Sequence, residues 1–531
     1  MSLFLAAALL GAACSAWAGE SEPLATFPRG GMIADYHAEL REAAPRADGV
    51  RHIDTPALIA KLQDLHVTAF FFLIHSQPSD WEDLRSEFVP AAQRAGIDVW
   101  AYLVPPSECC ANPFGNDYIR WATELAKLSL DHSNLKGFAI DDFQYNLKLY
   151  TPEHIGNMVR AAKAVNPHFL FFPLLYFKYA TDPKFMDAYA PVIDGVIMAY
   201  RDDPYTNTYR STSFADELAK TEEMLAAHHR ALVLMIYCHP LGRNPIPPSA
   251  EYIGNLVGAG LRDMQAGKLY GVVTYVLDKS GEPEPPSLNR AHSGSGRATF
   301  ILAGPIPEAG RTGEITGAVR VETNAPAYAL GFWYTHSATK AKPGIYSVQA
   351  LLDKQVVWQE DVTAGAPDQW RHVHVDVAAA LTGRTTAELR FRVTNRQPIS
   401  SLEMNLGFDD IEPEGFHVEN PGFESQAGWT TPADTPAIFP LIDIFDPQRS
   451  IRAFRAVRNV YGPYSLVQRT DQSCAGDGME QKADTFLHTW ETGNSARAAA
   501  SASSLAKTAD ARGCAVLATQ ARRVAADLRG K

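Results

Sequence analysis

The sequence predicts a (β/α)8 barrel, followed by a β-sandwich and a helical C-terminal region. Three observations predict it. From Gly31 to Asp278, apolar β-rich runs alternate eight times with amphipathic stretches of helical period. Every run ends in polar or aromatic residues, as barrel strands do where they open onto a site. Past Asp278 the pattern switches to short alternating strands, and past Asp446 to Ala-rich helical sequence.

The runs are GMIADYH (31–37), VTAFFFLIH (67–75), IDVWAYLVP (97–105), LKGFAIDDF (135–143), HFLFFPLLYF (168–177), IDGVIMAYR (193–201), ALVLMIYCH (231–239) and YGVVTYVLD (270–278). Thr55-Pro56 and Thr151-Pro152 each set a capping hydroxyl before a proline at the first helical position. An open doubly wound sheet competes, but it calls for a Gly-rich phosphate loop, and none follows the first strand. These signals place the barrel at 28–285. The Pro-, Gly- and Ser-rich stretch after Asp278 reads as a linker. A β-sandwich is expected over 296–415 and a helical region over 436–531.

The chain of 531 residues carries a net charge of -12, which argues against a nucleic-acid partner. The stretch MSLFLAAALLGAACSAWA (1–18) reads as a secretory leader cleaved after Ala18, giving a secreted or periplasmic protein; lipoprotein anchoring through Cys14 is the lesser alternative. No later segment looks transmembrane. Cys474 and Cys514, alone in the C-terminal region, are the expected disulfide pair.

Strand ends gather the candidate site. Asp141 and Asp142, adjacent at the end of the fourth run, are the candidate catalytic residues. Tyr36, His75, Tyr102, Tyr145, Tyr176, Tyr200, Arg201, Tyr237 and Asp278 are candidate substrate contacts. Rings mixed with carboxylates at one rim suit a sugar, whose C–H faces stack and whose hydroxyls need acceptors. Paired aspartates after a strand also serve as helix caps, turn formers or calcium ligands. A second pair, Asp202-Asp203, reads as a solvated loop, and a third, Asp409-Asp410, as structural. No His/Asp/Glu set has metal-site spacing, so neither a metal nor a cofactor is expected.

GFAIDDF resembles the paired-aspartate motif of O-GlcNAcase-type glycoside hydrolases, and FFPLLYF that family's Pro-x-x-Tyr segment. The resemblance implies a barrel enzyme in which the substrate's acetamido oxygen attacks the anomeric carbon. Asp141 would then orient that group, Asp142 would be the acid and base, and Tyr176 would touch substrate. The opening GMIADYH and the absence of a lysine in AYLVPPSE depart from that family, leaving the sugar open. GFDDIEPE resembles the closing strand of jelly-roll carbohydrate-binding modules, with Trp333, Tyr334 and Trp358 as platform or core residues. The expected function is an exported glycoside hydrolase acting on a carbohydrate. The alternatives are a non-catalytic glycan-binding protein and a secreted phosphodiesterase barrel drawing on His37 and His75.

Overall fold

The computed structural model describes residues 31–75, 77–108, 111–241 and 246–530. The leader with Cys14, and the neighbours Cys109 and Cys110, lie outside the described residues. Eight parallel strands close a barrel: β1 (Met32–Tyr36), β2 (Ala69–Ile74), β3 (Asp98–Leu103), β4 (Leu135–Ile140), β5 (Leu170–Tyr176), β6 (Gly195–Tyr200), β7 (Ala231–Tyr237) and β8 (Gly271–Tyr275). The ring shuts where β8 pairs with β1, from Met32↔Gly271 to Tyr36↔Tyr275. Alternate side chains fill the inside in layers, with Phe71, Trp100, Phe172 and Met235 among them. Gly137 makes room for this packing: a Cβ there would come within 2.7 Å of the Trp100 ring.

The connecting helices are α1 (Thr55–Asp64), α2 (Val89–Ala95), α3 (Tyr118–Asp131), α4 (Pro152–Val165), α5 (Pro183–Tyr189), α6 (Phe214–Ala227) and α7 (Ala250–Gln265). Thr151 caps α4 through His154 N–H as expected. For α1 the cap falls one residue earlier, on Asp54, which accepts from Ala57 N–H. None of the helices described is long and apolar enough to cross a membrane.

No helix directly follows β8. The chain instead builds strands β9 (Gly296–Ala303), β10 (Thr312–Val321), β11 (Ala329–His336), β12 (Tyr346–Leu352), β13 (Gln355–Asp361), β14 (Arg371–Asp376), β15 (Thr386–Asn395), β16 (Glu403–Glu414), β17 (Phe416–Val418) and β19 (Ile438–Ile444), which form two antiparallel sheets in the orders β13-β12-β15-β10-β17 and β14-β11-β16-β9-β19. Their faces enclose a core of Phe300, Phe332, Phe391, Phe408 and Trp358. The sandwich runs past the expected boundary at 415. Trp429 of the short β18 (Trp429–Thr430) joins its core, and β19 (Ile438–Ile444) pairs with β9 (Gly296–Ala303). Its first and last strands meet at Gly296↔Ile444, so the domain leaves and returns to the barrel at one place.

The helix missing after β8 then arrives. α8 (Arg449–Ser473) lies across β1 and β8, where Tyr461 Oη donates to Ala34 O at 2.8 Å. Gln468 reaches Gly31 O, and Arg469 reaches Gly96 O and Val67 O. Helices α9 (Met479–Glu491), α10 (Ser495–Ala511) and α11 (Ala515–Arg529) share one apolar core with the barrel's outer layer. The expected Cys474–Cys514 disulfide is present, closing a 40-residue separation.

Candidate active site

The top inward layer of the barrel follows from strand alternation. Inward positions end at Tyr36 on β1, Tyr102 on β3, Tyr176 on β5, Tyr237 on β7 and Tyr275 on β8. On β4 the ladder continues one residue beyond the strand, Asp141 N–H donating to Leu103 O at 2.9 Å. Asp141 therefore faces inward as well. Alternation alone would send Asp142 outward. Instead its backbone is left-handed (φ 40°, ψ 39°), a conformation that non-glycine residues adopt at some cost. That turn brings its carboxylate back over the mouth, where Tyr176 Oη donates to Oδ1 at 2.8 Å. The following residues pin the turn: the buried Phe143 ring stacks on Tyr150, and Asn146 donates to Asp142 O and Ser107 Oγ.

Tyrosines surround the pair. Tyr36 Oη and Tyr102 Oη point at opposite oxygens of Asp141, at 3.4 and 3.3 Å, with their rings stacked 3.8 Å apart. Tyr237 Oη lies 3.3 Å from Tyr176 Oη, and the Tyr275 ring meets those of Tyr36 and Tyr237. The Arg201 guanidinium lies 3.5 Å from the Tyr176 ring centroid; Asp203 holds its Nε at 2.9 Å, and Tyr145 Oη accepts from it at 3.4 Å. Tyr145 is 57% exposed, so it forms the outer lip.

The electrostatics follow from that packing. Burial, then the neighbouring Asp142 charge, then Glu108, push the Asp141 carboxyl up to about 8. Burial raises Asp142 too, while the Tyr176 hydrogen bond and the Arg201 charge pull it back down. Near neutrality the Asp141 carboxyl therefore keeps its proton, with burial the first cause. Burial and the Asp141 charge keep Tyr36 and Tyr102 well above the ordinary tyrosine range, so both remain donors.

Of the residues expected from sequence, Tyr36, Tyr102, Asp141, Asp142, Tyr145, Tyr176, Arg201 and Tyr237 come together. His75 stands at the edge, close enough to lower the pKa of Glu108. Two do not join. Tyr200 precedes an inward residue and so points outward, where its hydroxyl bonds Arg210 O and its ring meets Phe214 edge-on. Asp278 closes a local turn by accepting from Ser280 N–H and Oγ. Tyr275, a strand-end residue the sequence places at the rim, also joins the site, and Glu108 belongs to it without being among the residues expected there. Tyr275 follows from counting inward positions on β8; Glu108 sits on a loop with no periodicity to mark it.

The expectation of a solvated Asp202-Asp203 loop is also corrected. Asp202 is 2% exposed and bonded to Asn207, Arg210 and Ser213, because the loop is pressed against the sandwich, where Tyr209 stacks on Phe439. Asp409 and Asp410 are structural as expected, fastening His292 and Ser293 of the linker. Tyr334 and Trp358 are core residues, and Trp333 is covered by the His292 ring at 3.9 Å. Among the described residues, the grouping that could hold a metal is His52, Asp83 and Glu87, away from the mouth. Its atoms are already engaged: His52 bonds Asp83 and Asp48, and Arg46 holds Glu87.

No protein family matches the sequence, and neither does any curated protein. Solved structures similar to the chain include a glucosidase from Croceicoccus marinus (11% identity, 70% of this chain and 97% of that one, TM-score 0.35). An alpha-L-arabinofuranosidase from Thermotoga maritima is similar at 11% identity, 69% and 97% coverage and a TM-score of 0.33. So is an HpcH/HpaI aldolase from Desulfitobacterium hafniense, at 10%, 46% and 86%, and 0.28. Similarities this remote assign no activity, and chemistry has to be read from the site itself.

Proposed function

We propose that the chain is an exported glycoside hydrolase whose acid–base machinery is the Asp141–Asp142 pair. The observation that carries this reading is two adjacent carboxyls, Asp141 and Asp142, held at the C-terminal mouth of a barrel under a crown of tyrosine hydroxyls. A glycosidase needs a carboxylic acid that keeps its proton near neutrality beside a carboxylate that does not.

The sequence resemblance to O-GlcNAcase-type enzymes extends the reading to substrate assistance on 2-acetamido sugars. Asp141, deeper in the barrel, accepts from the acetamido N–H, which stabilises its ionised form. The proton that Asp141 holds in the free protein then passes to Asp142 at the rim, ready for the leaving oxygen. The acetamido carbonyl oxygen attacks the anomeric carbon as the glycosidic bond breaks. Asp142, now ionised, next takes a proton from the water that opens the cyclic intermediate. The sandwich is read as a carbohydrate-binding-type module of jelly-roll form, and the apolar leader as the export signal.

The test is hydrolysis of aryl glycosides with and without the 2-acetamido group by wild type, Asp141→Asn and Asp142→Asn. We expect turnover of acetamido sugars alone. Asp142→Asn should lose about 10²–10⁴-fold on phenyl glycosides and far less on dinitrophenyl glycosides, whose leaving group needs no acid. Asp141→Asn should lose on both. Turnover of plain glycosides would move the nucleophile or base to another group. Silence across the panel, with glycan binding intact in Asp142→Asn, would replace the enzyme with a binding protein.

A further inference from the structure

A cavity of about 800 Å3 opens beside the barrel mouth, at the junction of three parts of the chain. Its walls include His239, Pro240, Ile246 and Pro247 after β7, the linker after β8, strand β19 of the sandwich and Arg449 of α8. It exists only because the sandwich folds back onto the barrel.

The cavity reaches the candidate active site at His239. Cys238 N–H donates to Tyr275 O at 2.9 Å, extending the ladder, and His239 follows at the exposed rim two residues beyond the inward Tyr237. Burial lowers its imidazole pKa; Arg449 and Glu284 act on it from the cavity side and His37 from the mouth side.

The lining states what it can take. Several of its charges are paired, Arg449 with Glu284 and Cys238 O, Arg452 with Asp446, and Asp443 with Arg297, while Glu251 and Arg290 also line the space. Its apolar side chains supply open surface. Leu288 is 42% exposed and Ile444 37%, two of the most exposed large apolar residues described, and Phe445 and Leu441 line the same space. That apolar surface suits an alkyl or aryl group, which carries no hydroxyls to satisfy.

We propose that this cavity is an aglycone site, taking the apolar alkyl or aryl group of a glycoside whose sugar ring lies over Asp141 and Asp142. The inference rests on the hydrolase reading above and adds the class of leaving group. Cavities of this size hold whole drug-sized ligands, so a chain of several methylenes or a fused ring system fits.

The test is kcat/KM along a series of alkyl glycosides, methyl to octyl, on both glucose and N-acetylglucosamine, with calorimetric binding of the octyl members to Asp142→Asn. We expect a gain of about two- to fourfold per buried methylene. Leu288→Glu and, separately, Ile444→Glu should flatten that gain and leave the methyl glycoside unchanged. Methyl and octyl glycosides cleaved equally well would overturn the aglycone site and leave the hydrolase standing. A gain from added sugar units and none from alkyl chains would also overturn it. If nothing is cleaved, yet octyl glycoside binds Asp142→Asn at least tenfold tighter than methyl and Leu288→Glu removes the difference, the site stands and the hydrolase reading fails. Equal binding of the two would overturn the site regardless of turnover.

Discussion

Replacing Asp142 by Asn should lower the Asp141 pKa by a predictable part of its displacement. The Asp141 carboxyl stands at about 8 against an ordinary 3.8, with burial the first cause, Asp142 the second and Glu108 the third. Two charges roughly 5 Å apart at an effective dielectric of about 20 repel by about 3 kcal/mol, equivalent to about two pH units. Asp142→Asn removes that repulsion and leaves burial in place. The Asp141 carboxyl should therefore titrate near 6 in the variant, by the same arithmetic, still well above a free aspartate. Difference infrared spectroscopy of the protonated carboxyl band follows this directly, with Asp141→Asn identifying the band. A pKa still near 8 would mean that the carboxyls do not sense each other, and the reading of the two as one acid–base pair would fail. A fall to the ordinary value would mean that burial is not the main cause.

Three further outcomes follow from the same geometry. Tyr176→Phe removes the 2.8 Å hydrogen bond to Asp142 but keeps the ring under Arg201; a hydrogen bond to a charged group is worth about 1.5–3 kcal/mol, so kcat/KM should fall roughly 10- to 150-fold and the Asp142 pKa should rise. Asp141→Asn should trade activity for stability. A carboxyl raised in the folded state binds more protons than in the unfolded chain, so wild-type stability should fall as pH rises from about 4 to about 8, and melting curves should show the variant gaining a few kcal/mol on wild type across that window, with none of that gain below it. Removing both Cys474 and Cys514 as serines should cost about 4 kcal/mol by loop-closure entropy for a 40-residue separation, visible in urea unfolding; an unchanged midpoint would show that the helical packing alone holds the tail.

The barrel was legible because parallel strands buried on both faces read as continuous apolar runs, and each of the eight runs contains its strand. The inward tyrosines were legible for the related reason that alternation fixes facing. The same rule, counted through the strand end, separates Arg201 from Tyr200. Legibility ended where polar side chains are buried against polar partners. The Asp202–Ser213 loop looks solvated in sequence because its residues are polar, yet Asp202, Asn207 and Arg210 satisfy one another beneath the sandwich. The left-handed turn at Asp142 leaves no mark in composition. Strands β17 (Phe416–Val418) and β18 are too short for alternation to show, which hid the true end of the sandwich.

The C-terminal helices illustrate the same limit with a larger consequence. α8 buries Gln468, Arg469 and Thr470 along with Tyr461, so no apolar stripe announces that it belongs to the barrel. Tyr461 and Gln468 donate to carbonyls of Ala34 and Gly31 at the barrel's seam, where β1 and β8 must be covered and no local helix is available; Arg469 reaches the carbonyls before β2 and β3, and Thr470 turns back to Leu466 O of its own helix. Close to the same seam lies the fully buried pair Asp35–Lys279, at 2.6 Å. Lys279 also donates to His37 O, just above Tyr36. Removing one member of such a pair typically costs about 3–5 kcal/mol, because the survivor is left charged in a dry interior. The seam can stay dry only while α8 lies over it, so the last helices are a condition for the mouth geometry at Tyr36 and His37. The sandwich, inserted between β8 and its helix, has both its connections side by side at Gly296↔Ile444 and meets the barrel where Tyr209 of the buried Asp202 loop stacks on Phe439. The wall it lends to the cavity beside the mouth is therefore fixed by the connectivity that closes the barrel.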